Sequence, residues 1–203
     1  MAETTNGHIV NRRMNVKQAE LIKRMTDEEL KKQLLLSQSI FFFLGIILSY
    51  FLFDRFSDWF SMVYIDWQQI IYYGIMPAFV IVILEIFLYR LVPAHYFDDG
   101  GINEKVFKNQ SVGNIFLISI VVAISEETLF RGVIQSTFGY IFASSLFVIM
   151  HFRYLKKPLL LTLVILISFL IGYIFKITEN LLVVITFHFT VDFLLGIFIK
   201  WNK

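Results

Sequence analysis

The chain has 203 residues, 57% hydrophobic and 17% charged, with a formal net charge of +2 and a mean hydropathy of +0.69. Soluble domains are about 45–50% apolar, so this composition excludes an ordinary soluble fold and places the chain in lipid. Phenylalanine supplies 23 residues and proline only 3, which fits long uninterrupted helices and disfavours the alternating strands of a membrane β-barrel, while the lack of cysteine excludes disulfides, thiolate metal sites and a cysteine nucleophile.

In chain order, residues 1–25 are polar and of mixed charge, and the first apolar run begins near residue 37 with no small-residue cleavage pattern before it. That predicts a retained first span and no removed signal peptide. Thr26-Asp27-Glu28-Glu29 has the capping-box spacing and predicts a helix from there to about Phe53. Its early part, within a cytoplasmic leader of residues 1–36, is amphipathic, and from Ser37 onward it is apolar. Asp54 to Asp66 carries Trp59 and Tyr64 among acids, with Trp67 just beyond, and reads as an interfacial turn. A second span is predicted from Ile70 to Val92, followed by a polar loop containing Asp98-Asp99-Gly100-Gly101. Residues 37–111 thus form two front spans and a cytoplasmic loop.

Residues 112–203 form the core. A third helix is predicted from Asn114 through Glu126 and Glu127 to about Phe138, broken by Gly139, and a fourth from Tyr140 to Tyr154. Two more run from Pro158 to Thr178 and from Asn180 to Ile199, with Pro158 at a natural helix start. The expectation is an all-α, polytopic transmembrane helical bundle of about six spans, with an active site between the last four helices.

With both termini in the cytoplasm, nearly every lysine and arginine in a loop falls on one side and only Arg55 and Lys176 fall opposite, which satisfies the positive-inside rule. The net charge is then explained by basic loops at an anionic leaflet and implies a bilayer and no nucleic-acid partner.

Arg131 lies inside a predicted span with Glu126 and Glu127. Each charge at the bilayer centre costs about 2.5–3.5 kcal/mol on insertion scales, so such groups face a protein interior or a wet cavity and mark function. Glu127 and Arg131, at i and i+4, can pair on one helix face. That leaves Glu126 without a partner and suited to general-base work. His188 and Asp192 share a face of the last helix, and His151 ends the fourth. At 1.5 Å per residue, Glu126 and His188 each lie about 18 Å from the cytoplasmic ends of their helices, with His151 shallower. These side chains are predicted to converge in the cytoplasmic half of the bundle, as a set that can hold Zn²⁺ or activate water directly with glutamate as base. Gln135, Tyr140 and Ser144 are polar positions near that cavity to which no role is assigned, and Glu85 reads as a snorkelling partner of Arg90.

The pattern resembles the CPBP family of intramembrane proteases, which contains the type II CAAX prenyl endopeptidases and the bacterial Abi proteins linked to bacteriocin self-immunity. The first motif stands as Glu126-Glu127-Thr128-Leu129-Phe130-Arg131 followed by Gly132, the second as Phe147 to His151, and the third as His188 to Asp192. The resemblance covers roughly residues 112–199. It implies an endopeptidase, glutamic or metallo, of the bacterial cell membrane that cleaves a small peptide or membrane-protein substrate from the cytoplasmic side. In that scheme Glu126 activates water with help from His151, and His188 and Asp192 stabilise the oxyanion or hold a metal. Glu127 and Arg131 orient the site, and a zinc ion, if used, draws on His151, His188 and Glu126. Because residue 192 is an aspartate, which when ionised only accepts hydrogen bonds, it suits a ligand, histidine-orienting or protonated role better than direct oxyanion stabilisation. The alternatives are a non-catalytic scaffold or immunity-type partner binder, and a transporter. The intact Glu126, His151 and His188 argue against the first, and the few spans and lack of an internal repeat against the second.

Overall fold

The computed structural model describes residues 25–202, so the leader expected over residues 1–36 lies largely outside the described residues. Eight helices follow: α1 (Asp27–Leu52), α2 (Asp58–Met62), α3 (Trp67–Leu91), α4 (Ile102–Phe107), α5 (Val112–Phe138), α6 (Tyr140–Met150), α7 (Pro158–Thr178) and α8 (Leu181–Trp201). There is no strand among the described residues. The capping box forms as its spacing predicts: the Thr26 hydroxyl accepts from the Glu29 N–H at 3.2 Å, and the Thr26 N–H donates to the Glu29 carboxylate at 2.8 Å. Pro158 opens α7, and the Asn180 side chain caps α8 by accepting from the Leu182 N–H at 3.0 Å.

Side-chain ties define the two ends of the bundle. At the first, the Lys105 ammonium donates to the Met25 carbonyl, Asn109 to Asp27, Lys200 to the Gln110 carbonyl, and Lys157 pairs with Asp98. At the second, the Tyr64 hydroxyl donates to the Thr178 carbonyl, Asn180 donates back to the Tyr64 carbonyl, and the Trp59 indole donates to Ser49. Five helices, α1, α3, α5, α7 and α8, are long and apolar enough to cross a membrane. The sixth apolar segment is shorter than its sequence reading. α6 has 11 residues, about 16 Å against a hydrocarbon core of roughly 30 Å, and ends at Met150, where His151 leaves helical geometry with ψ at 35°. A single 3₁₀ turn, Phe152–Tyr154, carries the chain on to the first end by Lys157.

α8 packs against α3, α4, α5 and α7, and its Val183, Val184, Phe187 and Val191 join Ile171, Ile174 and Phe175 of α7 in the main core. A second cluster joins Leu129, Phe130 and Ile134 of α5 to Ala143 and Phe147 of α6. Between lipid-soluble helices association comes from close packing rather than from water exclusion, and small residues permit it. Gly172 of α7 is such a contact: a Cβ there would lie 2.5 Å from the Ser144 hydroxyl and 2.9 Å from the Tyr140 ring. Gln135, Tyr140 and Ser144 serve this packing. Gln135 donates to the Gly172 carbonyl at 2.7 Å, Tyr140 to the Phe169 carbonyl at 3.0 Å, and Ser144 to the Ser168 carbonyl at 3.4 Å.

Two stretches are wound as π-helix, Ile70–Ile75 in α3 and Thr128–Gln135 in α5. The second begins immediately after Glu127, and all eight of its residues are buried.

Candidate active site

The site is built on the middle of α5. Glu127 and Arg131 are both fully buried and lie 3.4 Å apart, Oε2 to Nε, as their spacing predicts. Arg131 also donates to the Ser168 carbonyl at 3.1 Å and sits 4.7 Å above the centre of the Phe147 ring, a cation–π contact that spreads its charge over α6 and α7. The other oxygen of Glu127 lies 2.7 Å from Nδ1 of His188 on α8. A carboxylate only accepts, so Nδ1 carries the proton and the imidazole is held with Nε2 turned to Asp192, 3.5 Å away.

His151 closes α6. Its Nδ1 lies 2.9 Å from the Phe147 carbonyl, which can only accept, so the neutral ring keeps Nε2 as its free acceptor. The ring packs against Phe147 at 4.6 Å and stacks on Tyr154 at 6.1 Å. Phe147 stands between Arg131, His151 and His188, which fixes the three relative to one another.

Glu126, His151, His188 and Asp192 line one cavity of about 590 Å³, which reaches the first end of the bundle, where Asp98, Asp99 and Arg153 border it. Glu127 and Arg131 stand behind its wall. The structure thus brings the sequence-derived residues together, with Glu126 presented to the cavity and Glu127 turned inward to hold its neighbours.

Two expectations need correction. Glu126 is not without a partner, because the Gln38 amide of α1 donates to it at 2.9 Å. Glu85 makes no ion pair with Arg90 among the described residues; it lines the cavity and is close enough to Asp192 for their charges to repel. Both residues come from the front helices, so the cavity extends beyond the last four. A signal for Gln38 exists in the sequence: it falls on one stripe of α1 with Leu30, Gly45 and Ser49, the buried face of a helix whose large apolar residues point outward.

The zinc set does not fit as placed. Among the described residues no three His, Asp or Glu side chains are grouped so that they could hold a metal ion, whereas a catalytic zinc needs about three protein ligands.

Comparison with known proteins agrees with this arrangement. The profile of the type II CAAX prenyl endopeptidase Rce1-like family matches residues 108–194, which span all three motifs. The uncharacterized protein YpbD of Bacillus subtilis (strain 168) is 37% identical over 157 residues, 77% of this chain and 83% of that protein. No solved structure gives a significant match. The chain belongs to the Rce1-like family of CAAX-type intramembrane proteases, and with its five apolar helices it is an integral membrane protein.

Proposed function

We propose that the chain is an intramembrane endopeptidase of the bacterial cell membrane, with both termini in the cytoplasm, that hydrolyses a small or membrane-associated peptide entering from the cytoplasmic side. The observation that carries this reading is the shared cavity: Glu126, His151, His188 and Asp192, from three helices, face one space that opens at the more basic end of the bundle.

In this mechanism a water sits against the Glu126 carboxylate, which takes its proton as the oxygen attacks the scissile carbonyl carbon. His151, with Nε2 as acceptor, helps to orient that water. The developing oxyanion meets the Nε2 side of His188, whose imidazolium is stabilised by Glu127 behind it, and Asp192 holds the ring from the other side. Glu126 then passes its proton to the leaving amine. Glu127 and Arg131 take no part in the chemistry and fix the ring of His188 and the position of Phe147. No step passes through a metal.

The test is cleavage of a quenched-fluorescent peptide library by the purified protein in detergent, with Glu126→Gln and His188→Ala alongside and with chelator as a separate arm. Loss of general-base catalysis costs about 10²–10⁴-fold, so Glu126→Gln should fall to background while its thermal unfolding stays close to wild type. Chelator should leave the rate unchanged. Inhibition that added zinc reverses would replace this mechanism with a metal-dependent one, and a folded wild type silent across the library would favour the partner-binding alternative.

A further inference from the structure

α1 lies outside the segment matched by the family profile, and most of its surface faces outward: Leu36, Ile40, Phe43, Ile47, Tyr50 and Phe51 are all exposed. Its buried residues are Leu30, Gln38, Gly45 and Ser49. Gly45 and Ser49 are small, as expected where a helix approaches a neighbour in lipid. Gln38 is the long polar side chain of the stripe, 4% exposed.

Burying an amide in an apolar setting is unfavourable unless its groups are bonded. Gln38 is only half satisfied: Nε2 donates to Glu126 Oε1 at 2.9 Å, and Oε1 is buried with no hydrogen-bond partner among the described residues. The side chain is therefore turned to serve the glutamate and not its own needs. Among the described residues Glu126 has no other hydrogen-bond partner, so its second oxygen is free to take a proton from water.

We infer that Gln38 is a positioning residue: its amide holds the Glu126 carboxylate at the cavity wall, stabilises the ionised form, and makes α1 a working part of the site. This rests on the reading of Glu126 as the base. The consequence is that the profile-matched segment alone lacks a component, since the group that orients the base comes from a helix 88 residues earlier in the chain.

Two measurements on the full chain test it. The first needs no activity. The antisymmetric carboxylate stretch of Glu126, isolated by infrared difference against Glu126→Gln, should shift in Gln38→Met, which keeps length and loses the donor, and in Gln38→Asn, whose amide is one methylene too short to reach. Ser39→Ala, on the outward face, should leave the band in place.

The second is kinetic. Hydrogen bonds to charged groups are worth enough that kcat should fall about tenfold or more in Gln38→Met, with KM changed less than about twofold and the unfolding temperature close to wild type. A band and a kcat that do not move in either folded variant overturn the inference while leaving the Glu126 mechanism standing. A wild type without peptidase activity removes that mechanism, and the infrared shift still decides whether Gln38 holds Glu126.

Discussion

Glu127 and His188, 61 residues apart in the chain, meet through a 2.7 Å contact between Oε1 and Nδ1 in the centre of the bundle. The same carboxylate faces Arg131 with its other oxygen, so one buried group ties α5 to α8 and offsets the one arginine placed deep in a span. In a medium of low dielectric such a group is far more costly to remove than to keep, because its partners are left charged and unpaired.

Glu127→Ala should therefore destabilise the protein by about 3–5 kcal/mol, the range for breaking a buried pair from one side. Thermal unfolding in detergent measures it. The double variant Glu127→Ala, Arg131→Met should recover a large part of the loss, because it also removes the stranded cation, while peptidase activity stays low since His188 has lost its anchor.

Gly172→Ala tests the packing of α7 on α6. The new methyl would meet the Ser144 hydroxyl and the Tyr140 ring, and that ring is tethered by its own hydroxyl to the Phe169 carbonyl, so neither neighbour yields freely. Overpacking of this kind costs about 1–3 kcal/mol, read as a fall in unfolding temperature, and the Gln135 bond to the Gly172 carbonyl should weaken with it.

Much of this was legible in the sequence for local reasons. A capping box acts within four residues, and an i, i+4 pair shares a face whatever surrounds it, so the start of α1 and the pairings of Glu127 with Arg131 and His188 with Asp192 follow from spacing alone. The positions of Pro158 and Asn180 likewise set the starts of α7 and α8. What spacing does not carry is the rotation of one helix against another. Gln38 and Glu85 reach the cavity because α1 and α3 turn those particular faces inward, and the contact of His188 with Glu127 rather than with Glu126 depends on how α8 lies across α5. The early end of α6 is similarly tertiary: 140–154 reads as one apolar run, but His151 bonds back to Phe147 and the chain tightens beyond it.

Orientation across the bilayer can be read directly because the chain has no cysteine of its own. Ser57→Cys and Lys156→Cys lie at opposite ends of the bundle, and both positions are exposed. In intact cells a membrane-impermeant maleimide should label residue 57 and spare residue 156 until the cells are opened. The reverse pattern would place the cavity mouth outside the cell and overturn cytoplasmic access.

Glu179, between α7 and α8, holds φ at +49°, the left-handed region that is unfavourable for residues with a Cβ by roughly 1–2 kcal/mol. Glycine adopts it without that strain, though it loses more entropy on folding. Glu179→Gly should thus raise stability, by about 0.5–1 kcal/mol after the two effects are offset, with activity unchanged.

The π-helical stretch Thr128–Gln135 has one more consequence. Such a winding holds an extra residue per turn relative to an α-helix, and here it separates the carboxylates of α5 from the part of that helix that binds α7. Deleting a single residue inside it, Val133 for instance, would hardly shorten the span. It would swing everything beyond by about 100° around the axis, taking Gln135 away from Gly172 while Glu126 and Glu127 stayed where they are. In this segment the residue count works as an angular setting, so related chains that keep the site geometry are expected to keep the number of residues between Glu127 and Gln135 even where they change every side chain in between.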